Sequence, residues 1–289
     1  MMRRRPAGLM IFVAAWAVSS AAQVPTFSVK TEEVRIDVLV AEHKKPVVGL
    51  KLSDFEVLDN GVLQQIEFVS PEEMPINAVL VLDVSASVDG ERLDHLRNAG
   101  QAFLNGLKKD DRAALVTFDN SVALAAPLTS DIEPLKSALA RLHPFGNTSL
   151  IDASYAGLMM GESIAGRSLV VLFSDGLDVS SWLTRDAVLE TAKRSDAVLY
   201  AVSAGRLPGT AFLHDLSDTT GGKHYAVEST KDLASVFLNI LNEFRQRYLL
   251  SYTPRGVSNT GWHRLQVRVK GRRVTIDARP GYLSGAARR

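Results

Sequence analysis

The sequence contains no cysteine, which removes disulfide scaffolds, zinc ribbons, thiol nucleophiles and a lipid-modified N-terminal cysteine together. The absence identifies no compartment, because an exported chain can fold without such staples. Charge of one sign is also lacking. Against 33 Lys and Arg stand 32 Asp and Glu, a formal net charge of +1, so nothing global argues for nucleic acid. None of the six histidines (His43, His95, His143, His214, His224 and His263) forms a His-Glu-x-x-His pair, which excludes that class of zinc protease. No Gly-x-Ser-x-Gly elbow supplies a hydrolase nucleophile. Gly221-Gly222-Lys223 is followed by His224 where a phosphate loop needs Ser or Thr, so it reads as a turn entering a strand over 224–227. No general base or phosphate-clamping Arg accompanies the acidic motifs described below, and the chain is expected not to be an enzyme.

What is present suits a globular protein. The 289 residues are 46% hydrophobic and 22% charged, with 20 Gly and 11 Pro, enough for about two domains of ~150 residues. The N-terminus places Arg3, Arg4 and Arg5 before an apolar stretch from Ala7 to Val18, then Ser19, Ser20, Ala21 and Ala22. That order is expected of a signal peptide cleaved after Ala22; the apolar run is too short to span a bilayer. No later stretch is long and apolar enough to span, so the expectation is an exported chain, periplasmic or secreted, without a membrane anchor. Its charge is unevenly spread. From Phe244 to Arg289, eleven Lys or Arg face Asp277 alone, a basic tail on an acidic body. Arg264, Gln266, Arg268 and Lys270 alternate with Leu265, Val267 and Val269, which reads as a solvated sheet face, with contact to an acidic partner as the other reading.

Hydrophobic periodicity divides the remainder. Val34, Ile36, Val38 and Val40 alternate at the period of a strand. Phe55 to Leu58, the turn Asp59-Asn60-Gly61 and Val62 to Val69 predict a hairpin with one returning strand. Pro71, Glu72, Glu73 and Pro75 mark a linker. From Ile76 the pattern changes to buried strands over 78–82, 113–118, 169–173 and 198–202, alternating with helices over 93–107, 135–142, 151–160, 187–193 and 233–244. This predicts an α/β domain with a doubly wound, mostly parallel, Rossmann-like sheet. Strands over 248–252, 263–270 and 273–278 follow. With those of the N-terminal unit they number roughly the seven of a small immunoglobulin-like β-sandwich, since either flank alone is too small to bury a good core. The expected division is 1–22 signal peptide, 23–75 N-terminal β unit, 76–244 α/β domain and 245–289 C-terminal β unit, the two β units forming one sandwich or two appendages.

The chemistry concentrates at strand ends. Asp83-Val84-Ser85-Ala86-Ser87 follows the first buried strand of the α/β domain, at the carboxyl end where open parallel sheets bind ligands. Thr148, in Gly146-Asn147-Thr148-Ser149, and Asp175, in Phe173-Ser174-Asp175-Gly176, add two oxygen donors. Singly, each has a plain structural reading: Asp83 or Ser85 as a helix cap, Asp175-Gly176 as a turn. Together they resemble the von Willebrand factor type A (VWA) family with its metal-ion-dependent adhesion site, over roughly residues 76 to 244. The resemblance implies that Ser85, Ser87 and Thr148 supply hydroxyls to a metal, with Asp83 and Asp175 acting directly or through water. Hard oxygen donors with only two carboxylates suit Mg²⁺, with Mn²⁺ or Ca²⁺ as alternatives. A site so nearly neutral leaves an Asp or Glu of a protein partner as the strongest remaining ligand. Asp152 follows a pattern common in bacterial members and is placed either behind these donors or at a helix N-cap. Asp89 and Asp178 are assigned to solvated loops.

The flanks extend the resemblance. Leu52 to Val57 with Asp59-Asn60-Gly61, Tyr248-Leu249-Leu250-Ser251-Tyr252, and Arg279-Pro280-Gly281-Tyr282 look like the acidobacterial subgroup of VWA-related proteins. The function implied is recognition of a protein ligand through its acidic side chain at the metal. The alternative is a structural partner in a cell-envelope assembly, docking through the β-sandwich and basic tail with the metal incidental. Oligomeric state is not legible in the sequence.

Overall fold

The computed structural model describes residues 33–43, 45–70, 74–162, 166–205 and 210–285. The expected signal peptide, residues 23–32 of the N-terminal unit, and Pro71, Glu72 and Glu73 of the expected linker lie outside them. The chain begins with β1 (Val34–Glu42), β2 (Lys45–Pro46), β3 (Phe55–Asp59), β4 (Val62–Gln64) and β5 (Ile66–Val69). An alternating series follows: β6 (Ile76–Asp83), α1 (Glu91–Asn105), β7 (Arg112–Phe118), β8 (Val122–Thr129), α2 (Glu133–Ala140), α3 (Leu150–Glu162), β9 (Arg167–Ser174), α4 (Arg185–Ala192), β10 (Val198–Ala204), α5 (Ala211–Thr220), β11 (His224–Val227) and α6 (Leu233–Arg245). The last elements are β12 (Tyr248–Tyr252), β13 (Gly261–Val269), β14 (Thr275–Asp277) and β15 (Gly281–Ser284).

The series from β6 to α6 builds one six-stranded sheet in the order β11-β10-β9-β6-β7-β8. Every neighbouring pair is parallel except β7 with β8. Because side chains alternate along a strand, β6 feeds two cores. Ala78, Leu80 and Leu82 pack with α1, α2 and α6 on one face, while Val79 and Val81 pack with α3, α4 and α5 on the other. All eight residues of β6 are buried, which explains its unbroken apolar run. The order reverses at β6, so the carboxyl ends of β6 and β9 form the topological switch point.

The remaining strands form two antiparallel sheets, each mixing N- and C-terminal segments. In one, β14-β1-β12-β5 are neighbours and β2 pairs with β1; in the other the order is β15-β13-β3-β4. Ile36, Val38, Phe55, Val57, Leu250, Tyr252 and Leu265 from both sheets share one apolar core. At its polar centre Asp59 Oδ2 accepts hydrogen bonds from the Tyr252 and Tyr282 hydroxyls, both at 2.8 Å, and Oδ1 lies 2.8 Å from His263 Nδ1. Burial and the Asp59 carboxylate push both phenols up, so they remain donors. The α/β series enters this structure between β5 and β12, where the Ser70 N–H donates to the Leu249 carbonyl and the Leu249 N–H to Ser70 Oγ, each at 2.9 Å.

Four local features differ from the sequence reading. The returning strand over 62–69 breaks at Gln65: β4 pairs with β3, whereas β5 crosses to β12 in the other sheet. The buried Gln64 amide fixes the corner, donating to the Arg255 carbonyl at 3.0 Å and accepting its N–H at 2.9 Å. Strand β8 was not anticipated because it is an exposed edge interrupted by Pro127, a residue sheets tolerate only at such edges. Helix α5 was hidden by a polar second half, Ser217-Asp218-Thr219-Thr220. Gly221, at φ 79°, ends that helix and leads into β11. Strand β15 lay inside a motif read only for its resemblance.

The two parts join through buried charge. Arg167, the first residue of β9, donates from Nε (3.0 Å) and Nη2 (2.6 Å) to Asp37 Oδ1 on β1, and from Nη2 to the Phe244 carbonyl at 3.0 Å. Arg247 donates to the Tyr200 hydroxyl at 3.0 Å, and that hydroxyl donates to Glu243 Oε1 at 2.7 Å. Lys223 then links Glu243 (2.9 Å) to Asp277 on β14 (3.0 Å). Among the described residues no helix is long and apolar enough to cross a membrane. Removing one partner of a buried pair strands the other's charge. Asp37→Ala is therefore expected to lower the unfolding free energy by about 3–5 kcal/mol in urea titrations; a loss below about 1 kcal/mol, the range of exposed pairs, would show that the Phe244 carbonyl and ring suffice for Arg167.

Candidate functional site

Asp83 ends β6 and Ser174 ends β9, so adjacent parallel strands deliver both to the switch point. Asp83 is fully buried; Ser85, Thr148 and Asp175 are nearly so. Asp83 Oδ1 accepts the Ser85 N–H at 2.9 Å, and Oδ2 accepts the Ser174 hydroxyl at 2.6 Å. Ser85 Oγ lies 3.0 Å from Ser87 Oγ, which donates to Asp175 Oδ1 at 2.6 Å. Thr148 reaches the cluster across Gly176. A Cβ on that glycine would stand 3.0 Å from Thr148 Oγ1 and 3.6 Å from Ser87 Oγ, so only glycine leaves the ground between these hydroxyls clear. All five anticipated residues thus meet in one place.

Three loops are laced together to hold them. The Phe145 N–H donates to the Val84 carbonyl (2.9 Å) and the Ala86 N–H to the Gly146 carbonyl (3.0 Å). Thr148 carbonyl accepts the N–H groups of Val179 and Ser180 at 3.0 and 3.1 Å. Asn120 Oδ1, in the β7–β8 turn, accepts the Asn147 N–H at 2.7 Å. Each hydroxyl donor therefore rests on backbone fixed from two sides, which lowers the cost of ordering it around a ligand.

The site is electrostatically asymmetric. Burial pushes the Asp83 carboxyl up to about 6, against hydrogen bonds from Ser174 and Ser85 that pull it down and the Asp175 charge that raises it further. Asp175 has a cation at hand: Arg92 Nη1, from the first turn of α1, donates to Asp175 Oδ2 at 2.9 Å and to the Ser87 carbonyl at 3.1 Å. Two buried carboxylates and three hydroxyls form a hard-oxygen donor set that fits a small divalent cation.

Other acidic residues turn out to be scaffolding. Asp152, in the first turn of α3, accepts the N–H groups of Trp182 (3.0 Å) and Leu183 (2.9 Å). It secures the loop after Asp175, and touches none of the five donors. Asp178 was assigned to a solvated loop, but its Oδ1 accepts the Ile151 N–H at 3.1 Å and the Ser181 hydroxyl, so it caps the start of α3. Asp89 does lie exposed, and accepts the neighbouring Gly90 N–H at 2.7 Å. Sequence reasoning missed Ser174 and Arg92. The first stands directly before Asp175 at a strand end, which is a usable signal; the second is indistinguishable in sequence from any exposed helix cation.

Residues 78–178 match the family model of the von Willebrand factor type A domain, and the chain carries such a domain. It is 26% identical over 215 residues to inter-alpha-trypsin inhibitor heavy chain H2 of Mus musculus, covering 67% of this chain and 22% of the relative. The uncharacterized protein sll0103 of Synechocystis sp. is 28% identical over 109 residues, 36% of this chain and 26% of that one. The chain thus spans about a fifth of the length of the heavy-chain relatives. Among solved structures, a von Willebrand factor type A protein from Catenulispora acidiphila aligns with a TM-score of 0.56 at 12% identity, over 88% of this chain and 74% of that one. Proximal thread matrix protein 1 from the mussel byssus, in a structure with a zinc-occupied MIDAS motif, aligns at 0.54 with 14% identity, over 64% and 49%. At these identities the structural likeness establishes the fold.

The raised Asp83 carboxyl has a consequence for stability. A folded-state value near 6 against 3.8 unfolded means the folded chain holds this proton more tightly. Stability falls as pH rises from about 4 through about 6, by up to ~3 kcal/mol for a two-unit difference. In chelator, melting temperatures recorded between pH 4 and 7 should decline more steeply for the wild type than for Asp83→Asn; parallel profiles would mean that Asp83 is not the group responsible.

Proposed function

We propose that this chain, on the premise of its von Willebrand factor type A domain, is an exported recognition module that holds a divalent cation, Mg²⁺ foremost, and binds a protein ligand through an acidic side chain. The observation that carries this reading is the hydrogen-bonded cluster of Asp83, Ser85, Ser87 and Asp175 with Thr148 across Gly176. Asp83, Ser85, Ser87, Thr148 and Asp175 would hold the cation, directly or through water. When bound, it supplies an electrophilic position that accepts an oxygen ligand from outside. The protein's own part is to hold five donors in place, and nothing in that part requires turnover.

The surroundings support a macromolecular ligand. Phe145, Leu177, Val179 and Trp182, the last 93% exposed, are on the two loops that carry Thr148 and follow Asp175. Exposed apolar side chains gathered beside a polar site suit an interface whose anchors desolvate it. Export is inferred from residues 1–22, with the periplasm or the exterior as destination. Residues 23–75 and 245–289 are taken as one immunoglobulin-like sandwich carrying the domain of 76–244, and the flanking motifs support a place in the acidobacterial subgroup.

Docking through the basic C-terminal region has less support. Arg245 is paired with Asp111, Arg247 is buried against Tyr200, and Arg279 is paired with Asp196 at 3.1 Å while donating to the Lys193 carbonyl. These cations serve the fold.

Calorimetric titration of the mature protein with Mg²⁺ and Mn²⁺ tests the reading. Saturable binding is expected in the wild type, with a loss of at least about tenfold in affinity for Asp83→Ala and Ser85→Ala, the scale of one deleted metal ligand or its support. Absence of binding by the wild type would overturn it.

A further inference from the structure

We infer that Arg92 selects the ligand of this face, serving as the second anchor for the incoming carboxylate. The inference rests on the divalent-cation reading above. Two carboxylates and a divalent cation sum to zero, and a neutral site discriminates weakly between an acidic ligand and a water or hydroxyl oxygen. Arg92 changes the sum. Its guanidinium cation lies 2.9 Å from Asp175 Oδ2. Counted over the cation, Asp83, Asp175 and Arg92 the charge is +1, partly offset by Glu228 in the cleft that Arg92 lines, and this favours an anion over a neutral oxygen ligand.

The geometry allows a direct role as well. Among the described residues Arg92 donates to Asp175 and to the Ser87 carbonyl, both from Nη1, so the other N–H groups of its planar five-donor fork can address a carboxylate. The side chain is 56% exposed, although its tip rests on a carboxylate that is almost wholly buried. It also lines a cleft of about 220 Å³ together with Ala204, Gly205, Glu228, Ser229 and Thr230, so a ligand has an open approach to it. Glu228 in that cleft opposes a second carboxylate, which limits the preferred ligand to one acidic side chain. Arg92 has an opposing effect on the cation, since its charge competes for Asp175. Its removal should therefore weaken carboxylate binding without weakening metal binding, a split that a merely structural residue would not produce.

The test uses Mn²⁺ and acetate. Water-proton relaxation of the full chain is followed during Mn²⁺ titration, and then as sodium chloride is exchanged for sodium acetate at constant ionic strength, for the wild type, Arg92→Gln and Arg92→Lys. Arg92→Gln should bind Mn²⁺ at least as tightly as the wild type yet need about fivefold more acetate for the same fall in relaxation, the worth of a charge-assisted hydrogen bond at a half-exposed site. Arg92→Lys, which keeps the charge without the fork, should fall between. Equal acetate dependence in wild type and Arg92→Gln overturns the inference. So does a weaker hold on Mn²⁺ in Arg92→Gln, which would make Arg92 a support for Asp175. A wild type that binds no Mn²⁺ overturns the metal reading itself, and this inference with it.

Discussion

The buried pair of Asp37 and Arg167 is the constraint on which the arrangement turns. Each charge is withdrawn from water, so neither tolerates an orientation in which the other is displaced. Asp37 belongs to the first strand of the β layers and Arg167 opens β9. Around them the Phe244 carbonyl, the Phe244 ring 4.6 Å from the guanidinium carbon, and Arg247 bring in the end of α6. The same eight-residue strand that begins at this junction ends at Ser174, beside Asp83 and Asp175. Likewise β6 begins with an Ile76 N–H bound to Asp111 and ends at Asp83. Two buried strands thus separate the junction from the candidate site, which lies at their opposite, carboxyl ends.

The domain from β6 to α6 was legible because its strands are buried on both faces and its helices on one, and these states leave distinct periodicities. Asp83, Ser85, Ser87 and Asp175 were legible as candidates because they fall at or just after the ends of β6 and β9, where a parallel sheet exposes its chain ends, whereas Thr148 lies between α2 and α3 and was picked out by the resemblance. What escaped was governed by tertiary context. Val62 to Val69 reads as one strand, since nothing local announces that Gln64 will be held by the Arg255 backbone and the chain turned into a second sheet. Asp178 looks like a loop acid, and Asp152 like a helix cap or a support for the donors, until the helix start and the loop backbone they serve are in place. Arg92 shows its value only once α1 sets it against Asp175.

The motifs of the flanks have an architectural explanation. Asp59 of the hairpin turn, Tyr252 of the strand after α6 and Tyr282 near the C-terminus are far apart in sequence, yet they close on one another inside the β layers. Arg279, from the same segment as Tyr282, donates to the Lys193 carbonyl after α4 and pairs with Asp196. These residues fix how the β layers close and grip the α/β layer, while the cluster of Asp83 and Asp175 lies at the opposite end of the sheet.

The Ser70–Leu249 clasp at the root of the inserted domain has a mechanical meaning. β5 and β12 are antiparallel and their outer ends, Ile66 and Tyr252, lie opposite one another, so a pull on those ends peels the ladder from there and reaches the clasp last. The intervening residues lie outside the load path, like a pendant hung from a closed link. The α/β domain stays unloaded until the ladder has opened as far as the clasp.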